Sequence, residues 1–234
     1  MSSTIYLIPT LLDEIAVQTI SPYVMDAIKN CTVIFAENER TARRFLKKMD
    51  KQIMIEDYEW FTIHKAEEEV VHAFCEKINQ NKNIAIISEA GCPGIADPGQ
   101  ILIAAAQDMN TLIKPLVGPS SILLALMASG MNGQHFEFLG YLPIDNHKRE
   151  KAILAMEINS QKKNCTQIFI ETPYRNNQLI ESLLKICKPA TKLCIASELT
   201  SANEFIKTKT IAAWRKEKTD FHKKPVIFLI YSGT

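Results

Sequence analysis

The sequence predicts an α/β protein, and two patterns carry that expectation. Short apolar runs bounded by turn residues recur along the chain: Ile5–Ile8, Thr32–Ala36, Ile84–Ile87, Leu112–Val117, Phe136–Leu139, Gln167–Ile170, Leu193–Ala196 and Val226–Tyr231. They are rich in Ile and Val and apolar on both faces, which suits strands covered on both sides. Between them lie segments of helical period: Ala66–Gln80, Gln100–Met109, Ser120–Ser129, Lys148–Ile158 and Asn176–Cys187. The first sets Val70, Val71, Phe74 and Ile78 on one face and its Glu residues on the other. Strand and helix alternating in this way is the pattern of helices packed on sheets. Glu204–Thr210 alternates weakly, lacks helix signals and is expected to be an edge strand.

Length and charge then set the organisation. A chain of 234 residues, 47% hydrophobic, suits one large domain or two small ones. With 27 Lys+Arg against 26 Asp+Glu, neither a disordered chain nor a polyelectrolyte coat for nucleic acid is expected. The balance conceals a division. Residues 1–115 carry 11 basic and 16 acidic side chains, a net of −5, and residues 116–234 carry 16 and 10, a net of +6. Lys114–Pro119, with Pro115 and Gly118-Pro119, separates the two regimes, so two consecutive α/β domains are expected, 1–114 and 115–234. The six cysteines are scattered and mostly in apolar surroundings, so neither a metal site nor a disulfide is expected. The N-terminal residues lack the pattern of a signal peptide, and no apolar run approaches the roughly 20 residues of a membrane-spanning helix. A soluble, cytoplasmic protein with no membrane partner is the expectation.

The most informative stretch is Ile84-Ala-Ile-Ile-Ser-Glu-Ala-Gly-Cys-Pro-Gly-Ile-Ala-Asp-Pro-Gly99. A buried strand enters a loop of three glycines and two prolines, and a helix follows. The glycines let a ligand approach the main chain, and Pro93 and Pro98 leave little entropy to lose on binding. Loops at the carboxyl ends of strands are where open α/β sheets bind small molecules. The loop has neither Gly-x-Gly-x-x-Gly nor Gly-Lys-Ser/Thr, so it is not a common nucleotide motif.

Gly91-x-Pro93-x-x-x-Asp97-Pro98-Gly99 resembles the signature loop of the tetrapyrrole methylase superfamily, the class III S-adenosylmethionine-dependent methyltransferases. It is most similar to the 16S rRNA (cytidine-2'-O)-methyltransferase branch. Further matches follow in order: Ile5-Tyr-Leu-Ile-Pro-Thr10, Ala36-Glu-Asn-Glu-Arg40, Leu116-Val-Gly-Pro-Ser-Ser121, Phe138-Leu-Gly-Tyr-Leu-Pro143, Phe169-Ile-Glu-Thr-Pro-Tyr-Arg175 and Ser197-Glu-Leu-Thr200. Two segments depart from it. The family's Pro-Thr-Pro-Ile-Gly-Asn-Leu is Pro9-Thr-Leu-Leu-Asp-Glu-Ile15 here, and Trp60-Phe-Thr-Ile-His-Lys65 stands where the family has His-Glu-His-Asn.

The resemblance implies two α/β domains with a cofactor cleft between them, S-adenosylmethionine as methyl donor, and a homodimer. It implies cofactor contacts from Pro9, Ala90, Gly91, Cys92, Ile95, Ser120, Ser121, Glu171, Leu199, Pro225 and Val226. For the acceptor it implies the ribose 2'-hydroxyl of rRNA in the small ribosomal subunit; a tetrapyrrole or other small acceptor, or a degenerate cofactor-binding paralogue, is the alternative. An oxygen nucleophile must lose a proton. No residue carries a signal marking it as catalytic, and the candidate proton acceptors are Glu37, Glu39 and Glu171. Glu171 follows an apolar run directly, so it either meets a ligand or pairs with Arg175 four residues on. Arg40, Arg43 and Arg44 either steer an anionic acceptor or form a solvated helix face, and His64 and His72 are expected at the surface. Lys148-Arg149-x-Lys151, Lys162-Lys163, Arg215-Lys216-x-Lys218 and Lys223-Lys224 are expected to supply the basic surface that RNA requires.

Overall fold

The computed structural model describes residues 3–63 and 68–233; His64 lies outside them. The chain forms two compact units, residues 1–120 and 121–234.

The first unit runs β1 (Thr4–Ile8), α1 (Pro22–Lys29), β2 (Val33–Ala36), α2 (Glu39–Met49), β3 (Glu59–Thr62), α3 (Glu68–Asn79), β4 (Ile84–Ile87), α4 (Gln100–Asp108) and β5 (Leu112–Pro115). The five strands are parallel, in the order β3-β2-β4-β1-β5. Every residue of β2 and β4 is apolar and buried, because both faces are covered. On one face α1 and α2 pack Val24, Ile28, Phe45 and Leu46 against Ile8, Ile34 and Ile87. On the other, α3 and α4 pack Phe74, Ile78 and Leu102 against Ile5, Phe35 and Ile86. Phe35 is stacked on Phe61 at 4.7 Å and meets the edge of Phe74 at 5.2 Å. Since the helix after β1 covers one face and the helix after β4 the other, the connections leave these neighbouring strands in opposite directions. Their carboxyl ends are therefore the switch point of the sheet, where such folds bind ligands.

Helices α1 and α2 and strand β3 are absent from the apolar segments of the sequence. In α2, Ala42, Phe45 and Leu46 form one buried stripe, but charged residues surround them and dilute the apolar signal. Its start is fixed by Asn38, whose Oδ1 accepts from Arg40 N at 3.0 Å.

The second unit runs α5 (Ser121–Ser129), β6 (Phe136–Tyr141), α6 (Asn146–Lys163), β7 (Thr166–Ile170), α7 (Asn176–Ile186), β8 (Lys192–Ser197), β9 (Phe205–Thr210), α8 (Ile211–Trp214) and β10 (Val226–Tyr231). The strand order is β6-β7-β10-β8-β9. Here β6 and β7 are parallel, whereas β7·β10, β10·β8 and β8·β9 are antiparallel. This sheet is mixed because a short turn, not a helix, joins β8 to β9. Strand β10 enters the middle of the sheet and is buried throughout. Its neighbours in the core include Phe169, which stacks on Phe228 at 5.8 Å. Trp214 is also in this core and donates its indole N–H to Leu193 O at 2.8 Å.

Cys31, Cys165, Cys187 and Cys194 are buried, and burial pushes the Cys31 and Cys187 thiols up to about 12. They serve as small hydrophobes. Among the described residues no helix is long and apolar enough to cross a membrane.

Candidate functional site

The switch point of the first sheet is built from main chain. Thr10 and Gly91 form an antiparallel bridge, with Thr10 N donating to Gly91 O at 2.8 Å and Gly91 N to Thr10 O at 3.3 Å. Thr10 Oγ1 donates to Ser88 O at 3.3 Å. Gly91 has φ +74°, a conformation that side chains rarely adopt. At the exit of β5, a Cβ on Gly118 would lie 2.1 Å from Pro9 Cβ, so the approach of these segments requires glycine. Cys92 Sγ lies 3.6 Å from Pro119 O. Pro9, Gly91, Cys92 and the Gly118–Ser120 segment thus converge from the ends of β1, β4 and β5. Ala90 is exposed, and so is Ile95 at 55%, so Ile95 presents an apolar side chain to solvent and is not core.

Three carboxylates gather at this loop. Glu37, at the end of β2, accepts from Glu89 N at 3.1 Å. Burial raises the Glu37 carboxyl above its usual range; the Glu89 amide opposes this, and the Glu89 charge adds to it. Asp97 is pushed up to about 6, by burial first and then by the charges of Glu37 and Glu89, with the Ser88 hydroxyl drawing it back. Burial, followed by the charge of Asp97, also raises the Cys92 thiol. Glu39 is committed elsewhere: Oε1 accepts from Thr62 Oγ1 and Oε2 from Arg43, each at 3.0 Å. The raised Asp97 carboxyl is not evident from the motif, because its charged neighbour Glu37 arrives from a different strand.

The second unit assembles its own set at one end of its sheet, where β7 and β8 finish and β10 begins. Ser197 pairs with Val226 and Ile170 with Ile227. Glu198 N donates to Pro225 O at 3.0 Å. Leu199, Pro225, Val226 and Glu171 are therefore neighbours, with Leu199 and Val226 each 6% exposed. Glu171 carries an uneven load. Its Oε1 accepts from Arg175 Nη2 at 2.6 Å, Arg175 Nε at 3.0 Å and Thr172 N at 2.7 Å. Its Oε2 is buried and has no hydrogen-bond partner among the described residues. The Ser197 and Thr200 hydroxyls are likewise buried without partners among the described residues. Glu198 and Thr200, flanking Leu199, have φ 52° and 69°. A β-branched residue in that region is strained, and such strain concentrates at functional sites. Ser121 is the first residue of α5, and Ser120 ends the first unit.

Of the basic residues expected at the surface, Arg149 is buried in the fold. Arg149 is 3% exposed and donates to Ile144 O at 3.1 Å and to Asn146 Oδ1 at 2.5 Å, so it is not a surface contact. Its place on the inward side of α6 explains this. His72 is at the surface, 3.9 Å from Glu76. His135, Glu137 and Cys165 bring ligand-type atoms within 4.8 Å of one another. Glu137 there already accepts from Lys163 and Asn159, each at 2.9 Å.

The family model for Tetrapyrrole (Corrin/Porphyrin) Methylases matches residues 16–214. Ribosomal RNA small subunit methyltransferase I of Buchnera aphidicola subsp. Schizaphis graminum (strain Sg) is 29% identical over 234 residues, covering 98% of this chain and 78% of that protein. The crystal structure of diphthine synthase superposes with a TM-score of 0.71 at 13% identity, covering 99% of this chain and 90% of that one. That of the methyltransferase CobJ gives 0.65 at 18% identity, covering 99% and 94%. At these identities the two structures establish the fold alone. The chain belongs to the Tetrapyrrole (Corrin/Porphyrin) Methylases, a family of methyltransferases.

Proposed function

We propose that the protein uses S-adenosylmethionine to methylate the 2'-hydroxyl of a cytidine in the RNA of the small ribosomal subunit. The observation that carries this reading is the similarity, over 98% of the chain, to a protein named ribosomal RNA small subunit methyltransferase I. The residues present fit the donor. The buried Glu171 Oε2 and the Ser197 and Thr200 hydroxyls are polar atoms without partners among the described residues. Amino and hydroxyl groups of a nucleoside-bearing amino acid would satisfy them.

On this reading the residues that bind the donor are Pro9, Ala90, Gly91, Cys92, Ile95, Ser120, Ser121, Glu171, Leu199, Pro225 and Val226. Bound there, it supplies a methyl group already activated on a sulfonium sulfur. The chain's own tasks are to orient the acceptor oxygen, exclude water and accept the hydroxyl proton. Asp97 and Glu37 are the proposed proton acceptors, since burial raises both carboxyls and the Glu37 charge raises Asp97 further. The protein works in the cytoplasm, where its substrate is. Phe136, Leu139, Tyr141, Leu154 and Ile158 are exposed apolar side chains on β6 and α6, and Leu139 and Ile158 line one groove. A patch of this kind suits a second copy of the chain, and Ile158→Glu is expected to turn a dimer into a monomer by analytical ultracentrifugation.

Purified protein, labelled S-adenosylmethionine and 30S subunits from cells lacking the protein test the reading. Label is expected in a ribose-methylated cytidine. Donor binding by calorimetry with no label in the RNA would overturn the substrate, and label in a precorrin-type tetrapyrrole would redirect it.

A further inference from the structure

A cleft of about 180 Å³ opens beside the Gly91 loop, between the segment that follows β1 and helix α2. Leu11, Leu12 and Phe45 give it apolar walls, Arg44 and Lys48 add two cations, and Glu14 and Glu89 border it with two carboxylates. Thr10 and Ala90 border it, so it adjoins the switch point of the sheet. Two of the wall residues, Leu11 and Leu12, come from the segment in which this chain departs from the family it resembles.

Charge points the same way. Helix α2 carries Arg40, Arg43, Arg44, Lys47 and Lys48 against Glu39 alone, all five cations exposed, in the acidic half of the chain. Arg44 Nη1 and Lys48 Nζ each lie 3.6 Å from the Glu14 carboxylate, whose side chain is 75% exposed. An anion therefore already stands between the two cations, and at that distance and exposure it is held weakly. Lys48 Nζ also donates to Glu14 O at 2.8 Å, which keeps the ammonium at the cleft.

We propose that this cleft seats the acceptor nucleotide, with Arg44 and Lys48 on its phosphate in place of the Glu14 carboxylate and the apolar walls against its base and ribose. This rests on the reading of RNA as the acceptor. Apolar walls with a few placed polar groups are the usual make-up of a small-molecule site. A volume below the roughly 300–1,000 Å³ of drug-sized sites suits one nucleoside and not a tetrapyrrole macrocycle. Phosphate contacts fix register, and splayed bases of single-stranded RNA pack on apolar and aromatic side chains.

The test is binding to 30S subunits over a range of KCl concentrations, with thermal melting and calorimetric donor binding on the same samples. Arg44→Gln/Lys48→Gln is expected to weaken binding about tenfold and, because one phosphate is no longer neutralised, to flatten the log–log salt slope by about 0.7. Glu14→Gln, which removes the resident anion, is expected to tighten binding several-fold, so the two variants move in opposite directions. Both are expected to bind S-adenosylmethionine as the wild type does. Wild-type affinity and slope in the double variant, with methyl transfer to 30S intact, would overturn the cleft and leave the proposed function standing. Wild-type protein that neither binds nor methylates 30S would overturn both. Transfer to a tetrapyrrole that the double variant impairs would overturn the RNA assignment of the cleft.

Discussion

Helices α2 and α6 both read as basic in sequence, one in the acidic half of the chain and one in the basic half. In the structure they spend their charge differently. On α6 Arg149 is buried on Ile144 O and Asn146 Oδ1, and Lys163 is paired with Glu137 at 2.9 Å. Elsewhere in the second unit Arg215 donates to Leu184 O at 2.8 Å and Cys187 O at 3.2 Å, and Lys224 pairs with Glu198 at 2.6 Å. On α2 Arg43 is engaged by Glu39 at 3.0 Å and over the Trp60 ring at 4.9 Å, and Lys47 and Lys48 donate to Lys51 O at 3.4 Å and Glu14 O at 2.8 Å, whereas the charges of Arg44 and Lys48 meet a weakly held, exposed carboxylate. A net charge counts cations without saying where they point, and a polyanion meets only those that face it. On α6 itself Arg149 turns inward while Lys148, Lys151 and Lys162 stay exposed.

The largest effect should come from Arg149. Replacing it with Ala opens a cavity where a buried side chain stood, a loss of about 2–4 kcal/mol readable as a lower thermal midpoint. An Arg149→Ala protein that melts as the wild type does but loses affinity for 30S would reverse the comparison.

Asp97 gives the next effect. Repulsion between a phosphate held by α2 and the carboxylates of the Gly91 loop is reduced if one of them holds a proton. The folded state raises the Asp97 carboxyl from 3.8 to about 6, so its stabilising contribution is complete below pH 3.8 and is lost as pH rises through 6. Asp97→Asn, neutral at every pH, should therefore melt higher than the wild type above pH 6, with the gain vanishing toward pH 3.8. Methyl transfer should fall in the same variant and lose a limb that rises through about pH 6. A stability gain that is constant with pH would contradict this assignment. The smallest effect is on the stability of Arg44→Gln/Lys48→Gln, which should stay within about 0.5 kcal/mol of the wild type because both side chains are exposed.

The first sheet was legible because β1, β2 and β4 are apolar on both faces, which leaves an unbroken run of Ile and Val in the sequence. The edge strand β3 is four residues, Glu59–Thr62, and only partly buried, so it carries no such run. The insertion of β10 between β7 and β8 was not legible, since pairing partners far apart in sequence leave no local mark. At the candidate site, the Gly91 loop showed itself through glycines that its backbone needs, and the Glu171–Arg175 pair through its four-residue spacing. The Glu37–Asp97 encounter and the strained Glu198–Thr200 turn showed no signal, because each depends on which strands end side by side. Arg149 was misread for the same reason: a local run of basic residues does not say which one turns inward.

The most direct test is a map of ribose methylation in 16S rRNA from a strain deleted for this protein. Loss of one cytidine 2'-O-methyl group, restored by the wild-type gene in trans, is the result expected. A methylation map identical to that of the parent strain would contradict the proposed function.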